Sequence, residues 1–198
     1  MQEHVIKTYS FKELSEEAQQ TAIEKLYDIN VDDEFWSECI LDDAKEIGQL
    51  IGIAIKNIYY SGFYSQGDGA CFEGSYAYQI GGLKALKEYA PEDKELHRIA
   101  RRLQEIQAIN FYQLEASVKQ SGHYYHEFCT DIQVDRHYEC ANDYAIEEIT
   151  ELLRDFMHWI YRQLEQEYEF QTSEEQIQDT ILANDYQFNI NGTFNMFY

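Results

Sequence analysis

One segment decides the fold class, because it stands between two helical periodicities and has the composition of strands. From Ile53 to Ile80 the chain turns to Ile, Tyr, Phe and Gly, with Gly67-Asp68-Gly69 between two aromatic-rich stretches. That pattern predicts a β-hairpin. Before it, Trp36, Ile40, Ala44, Ile47 and Ile51 recur at spacings of three and four, which predicts a helix beginning at Asp32-Asp33 with one apolar stripe. After it, Pro91 suits the first turn of a helix through Leu96, Ile99, Leu103, Ile106 and Phe111, with Glu92 and Asp93 near its positive N-terminal end. Hairpins intermixed with helices, without a βαβ rhythm, predict an α+β fold: an antiparallel sheet from hairpins packed with several amphipathic helices.

The remaining elements follow from the same periodicities. Val5 to Tyr9 reads as a short strand, and Ser15 caps a helix with Glu16-Glu17 in its first turn and Ala18, Ala22, Ile23 and Leu26 inward, ending near Asp28. Ala116 to Asp135 alternates as one strand, with Tyr124, His126, Phe128, Thr130, Ile132 and Val134 on one face. A long amphipathic helix fits Ile146, Ile149, Leu153, Phe156, Ile160 and Leu164. Ser173-Glu174-Glu175-Gln176 is a capping box for a final short helix. Tyr186 to Phe197 reads as a closing hairpin turning at Asn191-Gly192. No repeat or Pro/Gly/Ser-rich linker divides the chain, so one compact acidic domain over 1–198 is expected.

Composition narrows the function. The 198 residues are 44% hydrophobic and 15% aromatic, enough for a sizeable core, while 37 Asp+Glu against 15 Lys+Arg give a net charge of −22. This excludes ordinary nucleic-acid binding, which needs cations to neutralise phosphates. The longest apolar run, Ile51 to Ile55, is far short of the roughly 20 residues that span a bilayer. The N-terminus lacks the basic and apolar regions of a signal peptide, so a cytoplasmic location is expected. Four dispersed cysteines without a CxxC pair predict reduced thiols and no disulfide framework.

Three constellations bear on chemistry. His123, His126, Cys129, His137 and Cys140 are good zinc-ligand types. Residues three apart point to opposite faces of a strand, however, so no metal or other cofactor is expected. The run Ser61 to Phe72 is dense in glycine, polar and aromatic residues, but lacks GxGxxG and GxxxxGK[ST] and is therefore no phosphate cradle. Acid–base catalysis by Asp68 and Glu73 with His123, or by Asp68, His123 and His126, requires a shared cleft. No GxSxG elbow is present, and no catalytic residue is assigned.

The third constellation is acidic. Asp32, Asp33, Glu34, Glu38, Asp42, Asp43 and Glu46 face only Lys45 as counter-charge, and Glu34, Glu38, Asp42 and Glu46 form an i, i+4 row opposite the apolar stripe. Like charges at that spacing cost a helix roughly 0.2–0.5 kcal/mol each, so fold stability does not explain the row. Over about 22 Å of helix the segment Asp32 to Glu46, net −6, carries about one charge per 4 Å, close to the about 3.4 Å along one DNA strand. These seven acids are the expected protein-binding surface.

The stretch Tyr9 to Ala18, the run Ser61-Gly62-Phe63-Tyr64-Ser65-Gln66-Gly67-Asp68-Gly69-Ala70-Cys71-Phe72-Glu73-Gly74, the segment Gly122 to His126 and the segment Trp159 to Glu165 resemble a family of phage and prophage proteins labelled antitoxins of toxin–antitoxin stability systems. The resemblance implies a phage setting and action by protein contact. The expectation is a counter-defence inhibitor, anti-CRISPR or antirestriction in type, that acts as a DNA mimic on a bacterial nucleic-acid-binding defence protein. The alternatives are an antitoxin that neutralises a toxin by direct binding, using exposed aromatics of the 59–78 region, and a hydrolase or nucleotide-modifying enzyme built on Asp68, His123 and His126.

Overall fold

The structure is a computed structural model and describes residues 7–137 and 139–194. Its elements run β1 (Tyr9–Ser10), a 3-10 turn (Phe11–Glu13), α1 (Glu16–Lys25), α2 (Phe35–Leu50), β2 (Ile53–Ser61), β3 (Gly69–Ala77), α3 (Gly82–Tyr89), α4 (Lys94–Ile109), β4 (Leu114–Gln120), β5 (Thr130–Arg136), β6 (Glu139–Cys140), α5 (Asp143–Gln171), α6 (Glu174–Ala183) and β7 (Gln187–Phe188). One sheet has the order β2-β3-β4-β5-β6 and the other pairs β1 with β7, all antiparallel, so the fold is α+β. The chain divides into two compact units, one of Met1–Ser37 with Gln166–Tyr198 and one of Glu38–Glu165. No described helix is long and apolar enough to cross a membrane.

In the Glu38–Glu165 unit the helices cover one face of the larger sheet. Along β4, Leu114, Ala116 and Val118 alternate into the core, and β3 contributes Ala70, Cys71, Phe72 and Tyr76. Helix α5 answers with Ile149, Leu153, Phe156 and Ile160, all fully buried, and the Phe72 and Phe156 rings meet edge to face at 6.2 Å. The Asp93 carboxylate caps α4 by accepting the N–H groups of Glu95 and Leu96, and also takes the Trp159 indole N–H at 2.8 Å, which ties the start of α4 to α5. Arg98–Asp155, Arg102–Glu148 and Arg162–Glu95 pair the same two helices, and the opposed numbering makes them antiparallel.

The buried Gln107 amide closes the α4–β4 connection. It donates to Leu114 O at 2.8 Å and accepts Leu114 N–H at 3.1 Å, at the strand end where β3 pairs only from Glu115 onward. A side chain thus satisfies backbone groups that the sheet leaves without a partner there.

The terminal unit has its own core of Phe11, Leu14, Ala18, Ala22, Ile23, Ile177, Ile181 and Phe188. Ser15 caps α1 by accepting Ala18 N–H, as the sequence predicts, and Ser173 caps α6 by accepting Gln176 N–H, one half of the expected capping box, while its own N–H donates to Phe170 O. The turn at Asn191-Gly192 is present, closed by Asn189 N–H donating to Thr193 O at 2.9 Å, with a bridge between Phe188 and Phe194. Residues 5, 6 and 195–197 of the expected terminal strands lie outside the described residues.

Three expectations are corrected and one element is added. The stretch 116–135 is two strands and a loop: β4 ends at Gln120, β5 begins at Thr130, and residues 121–129 carry the alternation that imitates a strand. Helix α2 starts at Phe35, because the Asp33 carboxylate accepts Phe35 N–H at 3.0 Å and leaves Asp32, Asp33 and Glu34 before the first turn. Pro91 precedes α4, whose cap is Asp93. Helix α3 has no expected counterpart; its eight residues and glycine start give too little periodicity to read.

Replacing Gln107 with Met, close in volume, strands two buried backbone groups that each cost about 1–3 kcal/mol unpaired. A loss of about 2–4 kcal/mol is expected in urea unfolding. A change below about 1 kcal/mol would show that the connection does not depend on the amide.

Candidate functional site

The register of the larger sheet brings two loops to one end. Strands β2 and β3 form a hairpin with Ser61 opposite Gly69, and β4 and β5 form another with Gln120 opposite Thr130. Because β3 and β4 are antiparallel, the start of β3 lies beside the end of β4. The turn 62–68 and the loop 121–129 are therefore neighbours. Between them is an open cleft of about 510 Å³ lined by Gln66, Gly67 and Asp68 on one side and Tyr124, His126, Glu127 and Phe128 on the other.

Both walls are fixed by local bonds. Asp68 Oδ2 accepts Ser65 N–H at 2.7 Å, and Asp68 N–H donates to Ser65 O, which shapes the turn. In the loop, Gln120 Nε2 donates to Gly122 O and Tyr124 O, Cys129 N–H donates to His126 O at 2.9 Å, and Thr130 Oγ1 donates to Glu127 O at 2.6 Å. Two glycines let the walls approach. Gly67 has φ +94°, and a Cβ there would sit 3.2 Å from the Tyr124 ring. At Gly69 a Cβ would fall 2.5 Å from His126 Cβ and 2.6 Å from its Cα, so the loop backbone occupies the space a side chain would need.

His126 is held at both ring nitrogens. Phe128 N–H donates to Nδ1 at 3.2 Å, which assigns the proton of a neutral ring to Nε2, and Nε2 lies 3.4 Å from Cys129 Sγ. Beneath this pair Cys71 is fully buried; desolvation, and secondarily the nearby Cys129, push its thiol up to about 12. The loop also rests on the hairpin through Tyr125, whose ring stacks on Tyr59 at 5.5 Å. Glu73 accepts hydrogen bonds from Asn57 at 3.1 Å and from the Tyr59 hydroxyl at 3.0 Å. These bonds, Asn57 first, hold the Glu73 carboxyl below its ordinary value, and the same contact raises the Tyr59 hydroxyl.

The structure brings Asp68 and His126 to one cleft and leaves His123 out of its lining. Glu73 belongs to the sheet network rather than to the cleft. His126 and Cys129 do converge, because the segment is a loop and not the strand that kept them apart in the sequence reading. His137 Nδ1 lies instead 3.4 Å from Glu115, and the side chain of Cys140 lies outside what is described. Among the described residues no three His, Cys, Asp or Glu side chains are grouped to hold a metal. Sequence reasoning missed Tyr124, Glu127 and Phe128 as cleft residues; the signal was present, since aromatics at every second position beside Gly122 suit a loop wall as well as a strand face.

The acidic surface is differently arranged from the expectation. Glu38, Asp42 and Glu46 are exposed along α2, while Ala44, Ile47 and Ile51 at its end are buried. Asp42 pairs with Lys45 at 3.0 Å. Asp43 is half-buried and, with Glu46, accepts the Tyr89 hydroxyl; the Asp43 hydrogen bond is the main reason that hydroxyl is pushed up to about 12. Asp32, Asp33 and Glu34 are exposed in the other unit. The row is thus three acids at steps of about 6 Å, and α2 itself carries about one net charge per 8 Å, less dense than a DNA strand.

A domain of unknown function, DUF8835, matches the chain over residues 36–174. No curated protein and no solved structure matches it.

Two outcomes check this geometry. Gly69→Ala forces a methyl against the His126 backbone, and is expected to cost about 2 kcal/mol or more in urea unfolding while shifting the amide resonances of 121–129. An unshifted loop would contradict the close approach. Glu73, depressed in the folded state, adds stability that is present above its unfolded value near 4.5 and lost as pH falls through the folded one. Glu73→Gln should therefore flatten the fall in Tm from about pH 5 to about pH 3. An unchanged slope would remove Glu73 from acid unfolding.

Proposed function

The chain belongs to the DUF8835 family, and we propose that it is a phage or prophage counter-defence inhibitor, anti-CRISPR or antirestriction in type, that binds a basic nucleic-acid site on a bacterial protein. The observation that carries this reading is the exposed row Glu38, Asp42 and Glu46 on a helix whose opposite side is buried core. Acids at successive turns repel and weaken the helix locally, so their concentration on a firmly packed element serves something other than folding.

The distribution of charge supports it. The terminal unit has 15 acidic against 3 basic residues, a net of −12, and the Glu38–Glu165 unit has 22 against 12, a net of −10. Four of the arginines in the latter, Arg98, Arg102, Arg154 and Arg162, are spent on acids of α4 and α5. The spacing on α2 favours competition by complementary charge over literal imitation of phosphates. Such a surface speeds encounter with a basic partner and makes binding sensitive to salt.

The test is capture of partners from bacterial lysate at low and high salt, with the triple variant Glu38→Lys, Asp42→Lys, Glu46→Lys alongside. The expected result is a nucleic-acid-binding protein that salt and added DNA displace, held about tenfold or more weaker by the variant. Equal capture by the variant would overturn the α2 surface. A toxin without nucleic-acid competition would replace the inhibitor reading by the antitoxin one.

A further inference from the structure

We propose that the cleft between the β2–β3 turn and the β4–β5 loop binds the guanidinium of an arginine side chain presented by another protein. That the arginine belongs to a protein rests on the inhibitor reading above; the preference of the cleft for a planar cation does not.

The walls set the charge of the occupant. The charged residues that line the cleft are Asp68 and Glu127, with no lysine or arginine among them. His126 turns both ring nitrogens to partners inside its own loop, Phe128 N–H and Cys129 Sγ. An anion entering here would meet two carboxylates, and the Arg154 guanidinium over the Phe128 ring is already paired with Glu151. A positive group meets both carboxylates, each half-buried, in an open cleft.

Its shape is set by the rings. Tyr124, His126 and Phe128 follow one another along one wall, with centroids 6.3 Å and 6.1 Å apart, and Tyr124 and Phe128 remain 59% and 64% exposed. Exposed aromatic faces beside carboxylates suit a flat, weakly hydrated cation that stacks and donates in one plane, which an ammonium does not do. The chain itself uses this chemistry at the same spot, since the Arg154 guanidinium lies 5.1 Å from the Phe128 ring centroid. The bonds that fix the turn at Asp68 and the loop at Gln120, Cys129 and Thr130 hold the walls before any ligand arrives.

The experiment titrates the ¹⁵N-labelled chain with N-acetyl-arginine amide and, separately, with the citrulline analogue, which keeps the shape and lacks the charge. Saturable shifts of the Gly67, Tyr124, Glu127 and Phe128 amides are expected with arginine. Affinity should fall about fivefold or more with citrulline, with Glu127→Gln, and with Tyr124→Leu, an exposed position where truncation leaves the core intact. Equal binding of citrulline, shifts confined to residues 38–46, or no saturable shift would overturn the proposal. The α2 triple variant separates the two readings: cleft shifts with arginine amide that survive it stand even if the inhibitor reading falls, and cleft shifts abolished by it overturn the cleft as an independent site.

Discussion

The antiparallel register between β3 and β4 is the constraint from which the candidate site follows. Gly74 opposite Val118 and Ala77 opposite Glu115 fix the two strands head to tail, and everything at either end inherits that alignment. At one end the two hairpin connections become neighbours and enclose the cleft. At the other, α3 and α4 connect β3 to β4, and Gln107 completes the backbone bonding of Leu114 where the neighbouring strand has run out. A slip of one residue would reverse which side chains face α5 and would also part the loop from the hairpin turn, so packing and site stand or fall together.

The protein separates its charges by task. Arg98, Arg102 and Arg162 are gathered where α4 and α5 meet, in pairs that are individually weak at a surface but that align two helices already joined by buried apolar side chains. Lysine on α2 is limited to Lys45. The consequence is a molecule in which the four acids of α2 outnumber its one lysine and no lysine or arginine lines the cleft.

Much of this was legible in the sequence, for identifiable reasons. Hydroxyl caps at Ser15 and Ser173 announced two helices because capping is local chemistry, and the Gly67-Asp68-Gly69 hairpin was visible because aromatic strands flank a glycine turn. The failures came where one pattern serves two structures. Tyr124, His126 and Phe128 alternate as a strand would, yet they form a loop wall, and nothing local distinguishes the two; only the close approach to Gly69 does. Asp33 looked like the first turn of a helix and lies before it, its carboxylate accepting Phe35 N–H, which shortened the acidic row. The meeting of His126 with Cys129, and of both walls with Asp68, depends on strand pairing across about sixty residues, which no single-segment reading contains.

The pairing of β1 with β7 joins Tyr9 to Phe188, 179 positions apart. A ribosome adding roughly 5–20 residues per second needs roughly 10–40 s between the two. Throughout that interval Phe11, Leu14, Ala18 and Ile23 have no Ile177, Ile181 or Phe188 to pack against, so the apolar face of α1 is exposed on the nascent chain. The Glu38–Glu165 unit has all its pairing partners earlier and is free to fold first. The terminal unit is thus assembled last, and in that window its 1–37 segment carries nine acidic against three basic residues, a charge that favours solubility while the apolar face is exposed.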